Sequence, residues 1–136
     1  MKSGKFWLAV LVGGIVANIL DAVVMGVLLA PSFAGIESMN QDVNVAWFML
    51  GDFFAVLVMM LFYDRVYSSF SPGSKGGATY GLYAGLIVSF PTWIFIHLMV
   101  KGFPYGLAWI VTIYGIIWGA IVGSTIGSVY KKSAAA

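Results

Sequence analysis

The chain contains no cysteine, a single histidine and only 9% charged residues over 136 positions. Without cysteine there are no disulfides, no thiolate metal sites and no thiol catalysis, and the redox compartment stays open. The shortage of charge excludes more. A soluble domain carries about 25% charged residues, and this chain has too few to clothe a water-facing surface. Motifs are also missing. There is no G-x-S-x-G elbow, no H-E-x-x-H and no phosphate-binding loop. Lys75-Gly76-Gly77 is a linker and helix start, and the sequence points away from an enzyme. No segment alternates polar and apolar residues with period two, which excludes a β-barrel.

What is present is apolar: 61% of residues are hydrophobic. Four stretches stand out, at about 6–30, 45–66, 77–100 and 104–130. Each meets the roughly 20 residues that cross the hydrocarbon of a bilayer. The breaks between them are PSFAGIESMNQDVN, SSFSPGSKGG and KGFPYG, all rich in turn residues. The expectation is one all-α integral membrane domain over 1–136, a four-transmembrane-helix up-down bundle. The first stretch follows Lys2 and Lys5 like a signal peptide, but its length and its Asn18 and Asp21 favour a retained helix.

The net charge of +2 does not imply nucleic acid, because the cations sit at span ends as topology anchors. Lys2, Lys5, Arg65, Lys75, Lys131 and Lys132 fall on one side, and only Lys101 on the other, which also carries Glu37 and Asp42. The positive-inside rule then puts both termini in the cytoplasm. Aromatic residues mark both interfaces: Trp7, Tyr67, Tyr80 and Tyr130 inside, Trp47, Phe103, Tyr105 and Trp109 outside. VAWF and LAWI at matching outer ends, with Gly14/Asn18 and Gly85/Ser89, raise a tandem helical-hairpin repeat.

Two rows of small residues predict close helix packing: Gly77, Gly81, Gly85 and Ser89 in the third stretch, and Gly115, Gly119, Gly123 and Gly127 in the fourth. Glycine lets backbones approach, and that contact replaces the hydrophobic drive that lipid removes. The rows serve either each other, the favoured use, or a homodimer. Pro91 removes a backbone donor and crowds the Ile87 carbonyl, so a kink is expected there.

Ionisable groups at membrane depth are costly and suggestive. At helical rise Asp21 lies about 13 Å, and Asp52 about 10 Å, from the outer ends of their helices. Asn18 is one turn from Asp21 on a similar face. Two carboxylates this close in low dielectric do not both stay ionised, so the pair retains a proton. With His97 and Tyr114 these residues suggest an outward-opening polar pocket for a small ligand, ion or proton. Against this stands an interhelical clamp through Asn18 and Asp21 worth about 1 kcal/mol. No metal-ligand spacing exists. A lone histidine can also ligate haem or chlorophyll, which opens the alternative of an accessory subunit in a larger membrane complex. Helix two, with Trp47, Phe48, Phe53, Phe54, Met59 and Met60, would then supply contact surface.

The segments WLAVLVGGIVANILDAVVMGVLL and GGATYGLYAGLIVSFPTWIFIHLMVKGFPYGLAWIVTIYGIIWGAIVGSTIGSVYKK resemble small bacterial four-helix inner-membrane proteins grouped as a domain of unknown function. The resemblance covers most of the chain and rests on the arrangement. It runs from an N-terminal lysine and Trp7, through a long polar outer loop, to a glycine-zipper last helix with basic residues after it. It implies the fold and a bacterial cytoplasmic membrane, with no assigned activity. The layout is also similar to small multidrug-resistance transporters, which carry an acidic residue in their first helix. That family uses glutamate where this chain has Asp21, has a shorter first loop and lacks a counterpart to Asp52.

Overall fold

The computed structural model describes residues 3–130, so Lys2, Lys131 and Lys132, and the two ends of the expected 1–136 domain, lie outside the described residues. Among the described residues every regular element is helical: α1 (Gly4–Val23), α2 (Ala30–Ala34), α3 (Val45–Val66), α4 (Ser74–Met99) and α5 (Tyr105–Val129). A π-helical turn, Val24–Leu28, extends α1, and a 3-10 turn, Tyr67–Ser69, extends α3. Four segments are long and apolar enough to cross a membrane: Gly4–Leu28, Val45–Ser69, Ser74–Met99 and Tyr105–Val129.

Local chemistry sets the ends. The Ser3 side chain accepts the Phe6 N–H at 3.3 Å, so α1 starts before the expected residue 6. Asn44 does the same for Ala46 at 3.0 Å and opens α3. α4 starts at Ser74 rather than at Gly77, directly after Gly73, whose φ of 85° only glycine adopts without strain. The largest departure is at the far end of α1. The expected straight helix to residue 30 widens into a π turn, with the Leu29 N–H donating to the Val24 carbonyl at 2.8 Å. Pro31 has no N–H for the Val27 carbonyl and its ring crowds that turn, so the chain re-forms as the separate helix α2. Pro91, by contrast, sits inside an unbroken α4. The Thr92 hydroxyl donates to the Val88 carbonyl at 2.6 Å beside it.

α4 and α5 pack backbone to backbone. A Cβ on Gly81 would strike the Gly119 carbonyl, and one on Gly119 the Gly81 carbonyl. Gly77 and Gly123 stand in the same relation, while Gly85 faces Gly115 and Gly127 faces Gly77. Any side chain in this seam would wedge the helices apart and forfeit its dispersion contacts. α1 joins this pair to α3. Its small face (Ala9, Gly13, Gly14, Ala17) is buried, and a Cβ on Gly13 would come within 2.7 Å of Ile126 on α5 and 2.9 Å of Val56 on α3. α3 and α4 touch only sparsely, so the bundle has one open side.

Two cores result. At the end where Ser3 and Tyr130 lie, hereafter the terminal end, Phe6, Val56, Met60, Tyr63, Val122, Ile126 and Tyr130 are buried together. At the opposite loop end, Ile36, Phe103, Leu107, Ala108 and Val111 are buried. Two expected interface aromatics are therefore core residues, because Phe103 is 3% and Tyr130 5% exposed. Phe103 packs near Phe33 and Trp93. Tyr130 packs against Phe6, Tyr63 and Tyr67. Trp7, Trp47 and Tyr105 are exposed.

Candidate carboxyl-pair site

Asp21 projects from α1 one turn before the π bulge, and Asp52 projects from the first half of α3. Because α1 and α3 run antiparallel against each other, the two carboxyl groups meet, and Asp52 lies within hydrogen-bonding range of Asp21. Two ionised carboxylates this close in low dielectric would repel each other. Tyr114 of α5 donates its hydroxyl to Asp21. Three helices thus converge on one polar knot, all three side chains half-buried.

Asn18 supports the knot from the same face of α1. Its amide donates to the Gly14 carbonyl at 2.9 Å and, across the interface, to the Met49 carbonyl of α3 at 3.3 Å. It acts as a clamp and also lines the pocket.

The knot stands between two cavities. One, of about 520 Å³, is the cleft between α3 and α4. It is lined by apolar Phe54, Ala55, Val58, Val88 and Trp93 and by the polar Asp21, Asp52, Tyr114 and Trp118. The other, of about 580 Å³, lies toward the loop end and is bounded by Asn18, Asp21, Met25, Phe33, Met39, Gln41 and Asp52. The connecting segment there is tied down. Gln41 donates to the Met39 carbonyl at 3.1 Å, and Ser38 donates to the Lys101 carbonyl at 3.0 Å.

His97 does not join the site. It lines neither cavity. Its Nδ1 bonds the Phe103 carbonyl at 2.7 Å and its ring packs 5.2 Å from that of Tyr105. The KGFPYG turn folds back on the end of α4, so the hairpin itself captures the imidazole. Among the described residues no three histidine, aspartate or glutamate side chains gather as a metal site. The seam glycines, Gly77, Gly81, Gly85, Gly115, Gly119, Gly123 and Gly127, lie in α4 and α5, where Gly85 and Gly115 reach the cleft wall.

Sequence reasoning missed a second carboxylate–tyrosine pair. Tyr130 donates its hydroxyl to Asp64 at the terminal end. Burial, followed by this bond to Asp64, raises the Tyr130 pKa, so the phenol stays protonated. Asp64 precedes Arg65, and that dipeptide resembles ordinary interfacial charge. Trp118 was also missed, although it lies four residues after Tyr114 and so on the same face of α5.

Comparison of the chain with protein-family models, with curated proteins and with solved structures found no match.

Proposed function

We propose that this chain is a small polytopic protein of a bacterial cytoplasmic membrane. Both termini face the cytoplasm, and the Asp21–Asp52 pair takes up a proton or a small ligand from the outer half of the bilayer. The observation that carries this reading is the meeting of two carboxyl groups, from separate helices, at the junction of two cavities. A packing clamp needs neither the second carboxylate nor the space. Buried carboxyls in lipid are expensive, and a site that holds one exchangeable proton repays the cost in function. The Tyr114 hydroxyl orients Asp21, and Asn18 holds α1 on α3 so that the pair stays in register.

The test is the pH profile of thermal unfolding in detergent. Alkali removes the shared proton and leaves two repelling charges, so the wild-type midpoint falls as pH rises. Asp52→Asn replaces the shared proton with an amide N–H and flattens that fall. Superimposable wild-type and Asp52→Asn profiles would overturn the proposal. Labelling of Ser38→Cys by a membrane-impermeant maleimide in intact cells tests the orientation, and labelling only after lysis would reverse it.

A second reading, a subunit of a larger membrane complex, draws on the exposed aromatic face of α3: Trp47, Phe48, Phe54 and Phe62. Co-purification of stoichiometric partners in mild detergent from the native membrane supports it, and recovery as a free monomer counts against it.

A further inference from the structure

We propose that residues 37–44, between α2 and α3, form a lid over the carboxyl pair, latched by the Ser38 hydroxyl on the Lys101 carbonyl and lifted to admit water and protons from the loop end. This rests on the carboxyl pair being a proton site and names how access to that site is controlled.

Water has three directions from which to approach Asp21 and Asp52, and two of them are dry. Toward the terminal end the helices are packed shut: Ala17 and Val56, one turn from Asp21 and Asp52 on the same faces, are fully buried. Sideways, the α3–α4 cleft opens on lipid past apolar Phe54, Val58 and Val88, and lipid holds no water to deliver. The loop end differs. A cavity of about 580 Å³ runs there from Asn18, Asp21 and Asp52 to Met39, Asn40 and Gln41. Its volume holds many waters at about 30 Å³ each, and polar groups stand at both of its ends. Asn40 and Gln41 line it and are also exposed, so they mark its rim.

The segment over that rim has fixed ends and a lightly held middle. At one end Ile36 is buried with Phe103, Leu107 and Val111. At the other, Asn44 caps α3 through the Ala46 N–H. Between them the chain forms no helix, and Glu37, Ser38, Asn40, Gln41 and Asp42 are exposed. Gln41 donates to the Met39 and Phe33 carbonyls, and Asn40 accepts the Asp42 N–H at 3.0 Å, so these bonds knit the loop to itself and to α2. The Ser38 bond is of another kind. It crosses to Lys101 in the turn between α4 and α5 at 3.0 Å. Breaking it frees the middle of the segment and exposes little apolar surface, the condition for cheap local opening. Neither Asp21 nor Asp52 takes part in it. Among the described residues, the titratable groups that line the two cavities are Asp21, Asp52 and Tyr114, whereas Glu37, Asp42 and His97 line neither.

The experiment follows hydrogen–deuterium exchange of the protonated carboxyl in the whole chain, held in phosphatidylcholine nanodiscs at fixed pH. The readout is the infrared C=O stretch, which moves to lower frequency on deuteration. The chain has no cysteine, so Ser38→Cys with Lys101→Cys supplies a unique thiol pair. Bridging the thiols with a short bismaleimide ties the lid shut and should slow exchange severalfold relative to the same protein unbridged. Ser38→Ala removes the latch and should speed exchange about three- to tenfold over wild type, the equivalent of one hydrogen bond. Val88→Trp, in the wall of the cleft, should leave the rate unchanged. Equal rates with the thiols bridged and free would overturn the proposal. So would a Ser38→Ala rate no faster than wild type, or exchange slowed by Val88→Trp. Any of these with the protonated-carboxyl band present would sink the lid alone. A wild-type spectrum without that band would sink the carboxyl-pair reading, and the lid with it.

Discussion

The two ends of this bundle use the same parts and reach different states. At each, a tyrosine donates to an aspartate on another helix: Tyr130, which caps the end of α5, to Asp64 at the terminal end, and Tyr114 of α5 to Asp21 in the other half. Around Tyr130 the space is full. The rings of Tyr63, Tyr67 and Tyr80 lie within 5.6 Å of a neighbour, and Val56, Met60 and Tyr63 are fully buried. Around Tyr114 two cavities meet and a second carboxyl intrudes. A carboxylate–tyrosine bond is thus no sign of function by itself. The added carboxyl and the unfilled volume are what make one of the two ends a candidate site.

The largest expected effect falls on the frame shared by both ends. Gly81→Val drives a side chain into the Gly119 carbonyl. Overpacking a rigid seam costs about 3 kcal/mol or more, read as loss of the folded fraction in a detergent unfolding titration. Gly51→Val, at a position with open space around it, should cost far less. Equal effects would mean that the glycine seam is not what holds α4 to α5.

Next comes the comparison itself. Tyr130→Phe and Tyr114→Phe each delete one donor to a carboxylate, and each should cost about 1.5–3 kcal/mol of unfolding free energy. They should differ in kind. Tyr114→Phe alters how stability responds to pH, because its partner belongs to the carboxyl pair. Tyr130→Phe lowers stability by the same amount across the neutral range.

The smallest effect sharpens the contrast in packing. The Tyr63 hydroxyl is buried with no partner. Tyr63→Phe removes an unpaired polar atom and keeps the ring, so it should raise stability by about 1 kcal/mol. A loss instead of a gain would mean that the terminal core depends on that hydroxyl.

Much of the frame is visible in the sequence because lipid imposes simple rules. Long apolar runs separated by turn residues mark the spans, and glycine every fourth residue marks which helix faces come close. The carboxyl pair is also visible, because two aspartates at similar depth on consecutive antiparallel helices are brought level by geometry. What resisted were contacts that depend on three-dimensional closure. His97 lies in the same outer half as the pair, but in the last turn of α4, where its own hairpin turn captures it, and no spacing rule encodes that capture. Phe103 and Tyr130 sit where interfacial aromatics belong, and only the packing of α2 over one end and Phe6 over the other buries them. The π turn after Asp21 follows from Pro31, yet a proline ten residues away signals a helix end more readily than a local widening. The open α3–α4 side was least legible, since it reflects a contact that the helices do not make.

The central claim is that Asp21 and Asp52 share a proton, whereas Asp64 accepts from Tyr130 and shares none with another carboxyl. Infrared spectroscopy of the reconstituted protein at neutral pH reads this directly through the C=O stretch of a protonated carboxyl. The predicted result is one such band in the wild type, lost in both Asp21→Asn and Asp52→Asn and retained in Asp64→Asn. A spectrum without the band, or a band removed only by Asp64→Asn, would contradict it.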